Sequence, residues 1–251
     1  MRILIIRHAE PYYPTDSLTE KGFREAEMLS QKLKDEGITD IYVSPLGRAQ
    51  LTAKPTVEKT GIQPITLEWL REFPHTMNWT YDTDFYKQTR SPWNMPPELW
   101  TKDPNIFSNE NWQNSTLLTD SGVKEHYEKV CKEFDALLAK HGLIRDGEQW
   151  IIGENYNPDA TIALFCHFAL GTSLIARSLN MPLVPIWNTI FLPTSSVTTL
   201  YMEHHILDRP IVHGIICGIG DTSHLYAEGE PISSSGLHRR NKYVIHTKTR
   251  Q

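Results

Sequence analysis

Long apolar runs are missing from this sequence: none approaches the ~20 residues needed to cross a bilayer, which excludes a spanning helix. Cysteine is scarce. Cys131, Cys166 and Cys217 are an odd number without metal-ligand spacing, which excludes a disulfide framework and reads as three core residues in a reducing compartment. Basic excess is also missing. A net charge of -5 lacks the electrostatic footprint of nucleic-acid binding. The N-terminus carries no basic region, apolar core and small-residue cleavage site, so the expected location is cytoplasmic. Internal repeats and low-complexity blocks are absent too. What remains, 251 residues with 39% hydrophobic and 22% charged, suffices for one α/β domain over 1–251.

The first stretch sets the expected organisation. Ile3-Leu4-Ile5-Ile6 is too short for a buried helix and rich in β-branched Ile, so it reads as a strand buried on both faces, as in a parallel sheet. Arg7-His8-Ala9-Glu10 follows at once. In open α/β sheets ligands sit beyond the carboxyl ends of strands, which is where Arg7 and His8 fall. Guanidinium binds phosphate or carboxylate by two points, and imidazole can serve as base or nucleophile. On its own the pair suits a solvated strand end equally well.

Strand–helix alternation continues. Thr19 suits an N-cap, Glu20 the positive end of a helix, and Leu18 with Phe23 a hydrophobic staple; Phe23, Ala26, Leu29 and Leu33 predict one buried face, closed at Gly37. Asp40–Val43 predicts a second strand. Ser44 as N-cap with Pro45 at the first helical position predicts a helix start that sets Arg48 near free N–H groups, and Pro55 should kink or end that helix. Arg48 reads either as part of an anion site or as a surface residue. Gln63–Leu67 predicts a short strand. Asp120 is the expected cap of an amphipathic helix from Val123 to Leu138, stopped by Gly142. Trp150-Ile151-Ile152 reads as an edge strand and Thr161–Cys166 as another buried strand, ending on His167. Phe168–Asn180 predicts a helix stopped by Pro182. Strands over about Ser196–Met202 and Ile211–Cys217 precede a glycine-bearing loop from Gly218 to Leu225.

Between Pro74 and about Leu118 the character changes. Trp79, Trp93, Trp100 and Trp112 lie there with several prolines and no sustained period. So long a connection is either functional or disordered, and its aromatic content argues against disorder. The expectation is a folded lid over about 74–118, with an inert packed excursion as the alternative. The tail, about 231–251, has Arg239, Arg240, Lys242, Lys248 and Arg250 and no acidic residue, which suits a solvated end or an anion-attracting one.

Three strand ends thus deliver Arg7-His8, Arg48 and His167. Two guanidinium cations repel a divalent ion, so the set predicts no metal; it suits a phosphate dianion, whose transfer needs positioning and charge neutralisation. With Leu18-Thr19-Glu20-Lys21-Gly22, Ser44-Pro45-Leu46-Gly47-Arg48-Ala49, Thr52-Ala53 and Phe165-Cys166-His167, this ordered series over residues 1–72 and about 161–225 resembles the histidine phosphatase superfamily, also called phosphoglycerate-mutase-like. The resemblance implies a three-layer α/β/α sandwich with a mostly parallel sheet. It implies a metal-independent phosphatase acting on small-molecule phosphomonoesters through a phosphohistidine, without a cofactor. His8 would be the nucleophile, and Arg7, Arg48 and His167 the phosphate pocket. A carboxylate would act as acid and base, best matched by Glu72 with Glu68 as rival. His224 falls in a loop near the family's site and reads as structural.

The sequence departs from the family pattern at Ala9 and Phe168, where glycine is usual, and lacks Gly-x-Trp-Glu-Gly after Glu72. An added methyl at Ala9 is expected to tighten the pocket. Rival readings are a phosphoglycerate mutase, a non-catalytic phospholigand-binding protein and, more distantly, a metallohydrolase using some of the eleven histidines. The aromatic segment suggests an apolar or planar leaving group. Substrate and oligomeric state are not written in the sequence.

Overall fold

A computed structural model describes residues 1–78, 89–204 and 209–236. Trp79 and the basic residues Arg239, Arg240, Lys242, Lys248 and Arg250 lie outside the described residues. The main sheet has eight strands: β1 (Arg2–Arg7), β2 (Asp40–Val43), β3 (Ile65–Thr66), β4 (Leu143–Asp146), β5 (Gln149–Ile152), β6 (Thr161–Cys166), β7 (Val197–His204) and β8 (Ile211–Asp221). Their spatial order is β3-β2-β6-β1-β7-β8-β5-β4. The half from β3 to β1 is parallel, and every pairing from β1 to β4 is antiparallel. The expected α/β sandwich is present, with its parallel strands confined to the half that carries the motifs.

The run in β1 is apolar throughout because both faces are covered. Ile3 and Ile5 enter a core with Leu164, Leu170, Leu174 and Phe134, whereas Leu4 and Ile6 join Leu29, Leu33, Val43 and Phe165 on the other face. The first face is covered by α3 (Val123–Lys140), α4 (Phe168–Leu179) and α5 (Leu183–Thr189); the second by α1 (Glu20–Leu33) and α2 (Gly47–Thr60). A last short helix, α6 (Ser223–Ala227), packs on α1. Full burial of one such Leu or Ile side chain contributes about 1.5–3 kcal/mol.

Local expectations fared unevenly. Thr19 caps α1, its hydroxyl accepting from Gly22 N at 3.0 Å. That helix ends at Leu33, before Gly37, and Phe23 is 48% exposed while Ala26, Leu29 and Leu33 are buried. α2 starts at Gly47 rather than at Pro45, because Leu46 is extended (ψ 136) and serves as the N-cap, while the Ser44 hydroxyl accepts from Leu46 N at 3.3 Å and also meets His167; the helix runs through Pro55 to Thr60. The cap of α3 is Gly122 in a left-handed turn (φ +68), not Asp120. β5 is interior because β4 folds back on it through Gly147. α4 ends at Leu179 on Asn180 in the left-handed region (φ +53), short of Pro182, which is instead the N-cap of α5. Gly218–Asp221 extends β8 instead of forming a loop. Cys131 and Cys166 are buried as expected, but Cys217 is exposed on β8.

Within 89–118 the chain makes short turns, among them Pro92–Asn94, Pro97–Trp100 and Pro104–Phe107, each opened by proline. Met95, Trp100, Ile106, Trp112 and Leu118 are buried in the larger core. No helix among the described residues is long and apolar enough to cross a membrane.

Candidate active site

Parallel register brings the strand ends level. Arg7 pairs with Cys166, and Phe165 with Val43, so His8 emerges level with His167, and Ser44 leaves the same edge one step earlier, level with Cys166. The ladder runs one step further: His8 N donates to Cys166 O at 3.0 Å and Ser44 N to Phe165 O at 2.9 Å. The His8 and His167 rings lie 5.1 Å apart between centroids.

Nδ1 of His8 is 2.8 Å from the carbonyl oxygen of Ala9. A carbonyl only accepts, so Nδ1 carries the proton and the neutral ring keeps its lone pair on Nε2. Burial, then the charge of Arg7 and that of Arg48, hold the His8 pKa well below the usual histidine range, against the pull of the Ala9 carbonyl. Ser195, itself at φ +56, donates its N–H to the His8 carbonyl at 3.1 Å. The nucleophile candidate is thus fixed at both ends of its backbone.

Arg7 is buried, with Nη1 donating to Leu192 O at 2.5 Å and its guanidinium 5.5 and 5.6 Å from the ring centroids of Phe168 and Phe191. Arg48, in the first turn of α2, pairs with Asp16 and lies 5.6 Å from the Tyr13 ring. Asp16 also accepts from Gly47 N at 2.6 Å. A Cβ on Gly47 would stand 2.3 Å from the Asp16 carbonyl oxygen, so this contact admits only glycine. His167 is fully buried with Nε2 2.7 Å from Ser44 Oγ, and its Nδ1 has no partner among the described residues. Burial, followed by the proximity of His8, Arg48 and Arg7, depresses its pKa well below the histidine range.

Glu72 reaches the N-terminus of α4, where its carboxylate accepts from Ala169 N at 3.1 Å and Leu170 N at 3.0 Å, as well as from Phe73 N at 3.1 Å. Burial raises its pKa; these N–H groups and Arg7 pull it back. Arg7, His8, Arg48 and Glu72 share one cavity of about 450 Å³, whose remaining wall includes Trp93, Phe168, Trp187 and Phe191. His167 lies against His8 behind that lining. Glu68 does not enter this cavity. It is exposed, ion-paired with Arg71 at 2.9 Å, and borders a neighbouring space of about 820 Å³ that also touches Arg48 and Glu72.

His224 borders neither space. Its Nε2 is 3.1 Å from Ser195 Oγ, so it supports the residue that holds His8, and burial lowers its pKa to about 4. Ala9 does not narrow the cavity: its methyl packs with Leu18 and Ala26 beneath α1, and its N–H donates to Thr52 Oγ1 at 2.9 Å. Phe168, by contrast, does enter the lining.

Sequence reading missed Asp16, Tyr13, Ser195, Trp187, Asn188 and Phe191. Asp16 sits in a polar connection whose left-handed turn (φ +50) has no periodic signature. Trp187, Asn188 and Phe191 follow Pro182, where the helix signals stopped. Asn188 holds Trp93 in position: its Oδ1 accepts from Met95 N at 2.8 Å and its Nδ2 donates to Pro92 O at 3.2 Å. Trp93 then meets Trp187 edge-on at 5.7 Å. Among the described residues no group of three or more His, Cys, Asp or Glu could hold a metal ion.

A mixed α/β sheet with two histidines and two arginines at the ends of its parallel strands defines a pocket for an anion of phosphate type. The model of the histidine phosphatase superfamily (branch 1) matches residues 3–207, and the chain belongs to that family. It is similar to the "Probable phosphoglycerate mutase GpmB" of Yersinia pestis (strain Pestoides F), 28% identical over 157 residues that cover 57% of this chain and 70% of the relative. Its fold is similar to that of phosphoserine phosphatase from Entamoeba histolytica, solved as a mutant with phosphoserine (TM-score 0.57, 20% identity, 89% of this chain and 98% of that one). The mycobacterial glucosyl-3-phosphoglycerate phosphatase is another such neighbour (TM-score 0.56, 20% identity, 88% of this chain and 99% of that one).

Proposed function

We propose that this protein is a metal-independent phosphatase that hydrolyses small-molecule phosphomonoesters through a phosphohistidine on His8. The observation that carries the reading is the Nδ1 contact of His8 with the Ala9 carbonyl, which leaves an unprotonated Nε2 beside two arginines. Nε2 attacks phosphorus while the ester P–O bond breaks, and Arg7 and Arg48 balance the charge on the nonbridging oxygens. His167 Nδ1 donates to one of those oxygens when the Ser44 hydroxyl donates to Nε2. Glu72, its pKa raised by burial, gives its proton to the departing oxygen. Water then attacks phosphorus as Glu72 takes back a proton, the N–P bond breaks, and phosphate leaves with His8 restored. Membership of the family and the phosphatases among the structural neighbours support hydrolysis. Glu72 is favoured over Glu68 because it shares the cavity with His8. Segment 74–118 would act as the lid, since Trp93 contributes to the cavity wall.

The test is phosphate release from a panel of phosphomonoesters with EDTA present, together with trapping of acid-labile protein-bound phosphate. Turnover and label in the parent, both absent in His8→Ala, are expected. Equal turnover in the variant would overturn the reading. The mutase name of the sequence relative supports a second reading, phosphoryl transfer back to a bound sugar acid. Isomerisation of phosphoglycerate without net phosphate release would select it.

A further inference from the structure

We infer that the leaving group this cavity accepts is a neutral alcohol carrying a planar or apolar ring, and that Trp93, Phe168 and Phe191 select it. The inference rests on the reading of His8 as nucleophile, and it follows from how charge is distributed around the cavity. His8 borders only the smaller of the two neighbouring spaces, so an ester in line with its Nε2 must extend its body there. The cations in that lining are Arg7 and Arg48, among the described residues, and both are required at the phosphoryl oxygens. Among the described residues no other side chain of positive charge lines this cavity. An alcohol bearing a carboxylate or a second phosphate would meet, among the described residues, Glu72, the aromatic rings and only uncharged polar side chains, including those of Tyr13, Ser91 and Asn94, and burying a charge without a counter-charge is costly.

The apolar part of the wall includes four rings, Phe168 and Phe191 beside the Arg7 guanidinium and Trp93 with Trp187. Phe168 and Phe191 lie 5.8 Å apart, tilted by 38°, and Trp93 is braced against Trp187. The Asn188 amide is occupied by the 92–95 turn and by Val184 O at 3.0 Å, and the Thr189 hydroxyl donates to Pro185 O at 2.6 Å. Such a wall offers area to a ring and little to a carboxylate. Cationic side chains do occur close by, Arg71 and Lys129, but in the larger space across Arg48 and Glu72.

The experiment compares kcat/KM of the parent protein for 1-naphthyl phosphate, methyl phosphate, phosphoserine and 3-phosphoglycerate, then repeats the series in Trp93→Ala and Lys129→Ala. The expected order sets naphthyl phosphate on the order of 10²-fold above the two charged esters. Trp93→Ala should lower the naphthyl-to-methyl ratio about tenfold, equal to about 1.4 kcal/mol of transition-state binding. A charged ester turned over as well as or better than naphthyl phosphate overturns the inference, and loss of that turnover in Lys129→Ala would assign the leaving group to the larger space. The parent ratio needs no variant, so misfolding of Trp93→Ala leaves the test standing. Absence of turnover on every ester, with no acid-labile label, would instead overturn the phosphatase reading on which this one rests.

Discussion

The two ends of the cavity are built by different means. At the deep end, His8, His167 and Ser44 project from adjacent parallel strands whose backbone bonds fix them, and Arg48 sits one residue into a helix whose start is pinned by Asp16. At the outer end, Trp93 and Trp187 come from a turn and a short helix that meet through side chains, with Asn188 as the clip. Strand ends in register tolerate little displacement, so chemistry that needs fixed geometry belongs there. A wall of packed rings can be rebuilt without touching the strands, which suits it to choosing among substrates.

The largest blow to the deep end should be His8→Ala, which removes the attacking nitrogen: turnover falls by roughly 10⁴-fold or more and the acid-labile label disappears. Arg48→Ala should cost about 10²–10³-fold in kcat, the usual scale for losing a preorganised charge at the developing oxyanions. Substrate affinity measured alongside would show whether the loss lies in the transition state. Glu72→Gln keeps the size of the side chain but not its proton. A drop of about 10²-fold is expected, together with loss of the alkaline limb of the pH profile, since the acid form of Glu72 disappears as pH rises through its raised pKa. The acid limb should fall below the usual histidine range, because His8 stays neutral to lower pH. At the outer end, Asn188→Ala should change kcat/KM only a few-fold and mainly for ring-bearing esters, which sharpens the contrast if the pH profile stays the same.

Stability gives the smallest handle. His8, His167 and His224 all have folded pKa values below that of an unfolded histidine, so their contribution is complete above about pH 6.5 and is lost as pH falls below it. For His224, with its pKa near 4, the full loss is about 3 kcal/mol, reached only near that pH. Glu72 and Glu25, with raised values, act with the opposite sign and soften the loss at the acid extreme. The melting temperature should therefore fall between pH 7 and 5, and His224→Phe should flatten the slope; an unchanged slope would assign it to the other histidines.

Much of the deep end was legible in the residues. An aliphatic run followed by Arg7-His8, a second run ending on His167, and Arg48 after Ser44-Pro45 are local signals, and parallel strands necessarily bring such ends to one edge. The detail was less legible where a tertiary partner overrode a local preference. Ser44 has the chemistry of an N-cap, yet its hydroxyl is shared between Leu46 N and the ring of His167, and the helix starts at Gly47. Phe23 has the spacing of a staple, yet its position on α1 turns outward. Ala9 was expected in the pocket on the strength of neighbouring His8, but successive residues leaving a strand diverge, and its methyl faces α1.

By itself the sequence determined the parallel half of the sheet, the family and the identity of the charged residues that meet at its edge, because strand burial, helix caps and short motifs act within a few residues. Only the tertiary structure decided that Glu72 rather than Glu68 shares a cavity with His8, that Asp16 fixes Arg48, and that Trp187 and Phe191 complete the wall. Those relations join residues separated by tens of positions through side-chain contacts, and no local preference encodes which distant partner a side chain will meet.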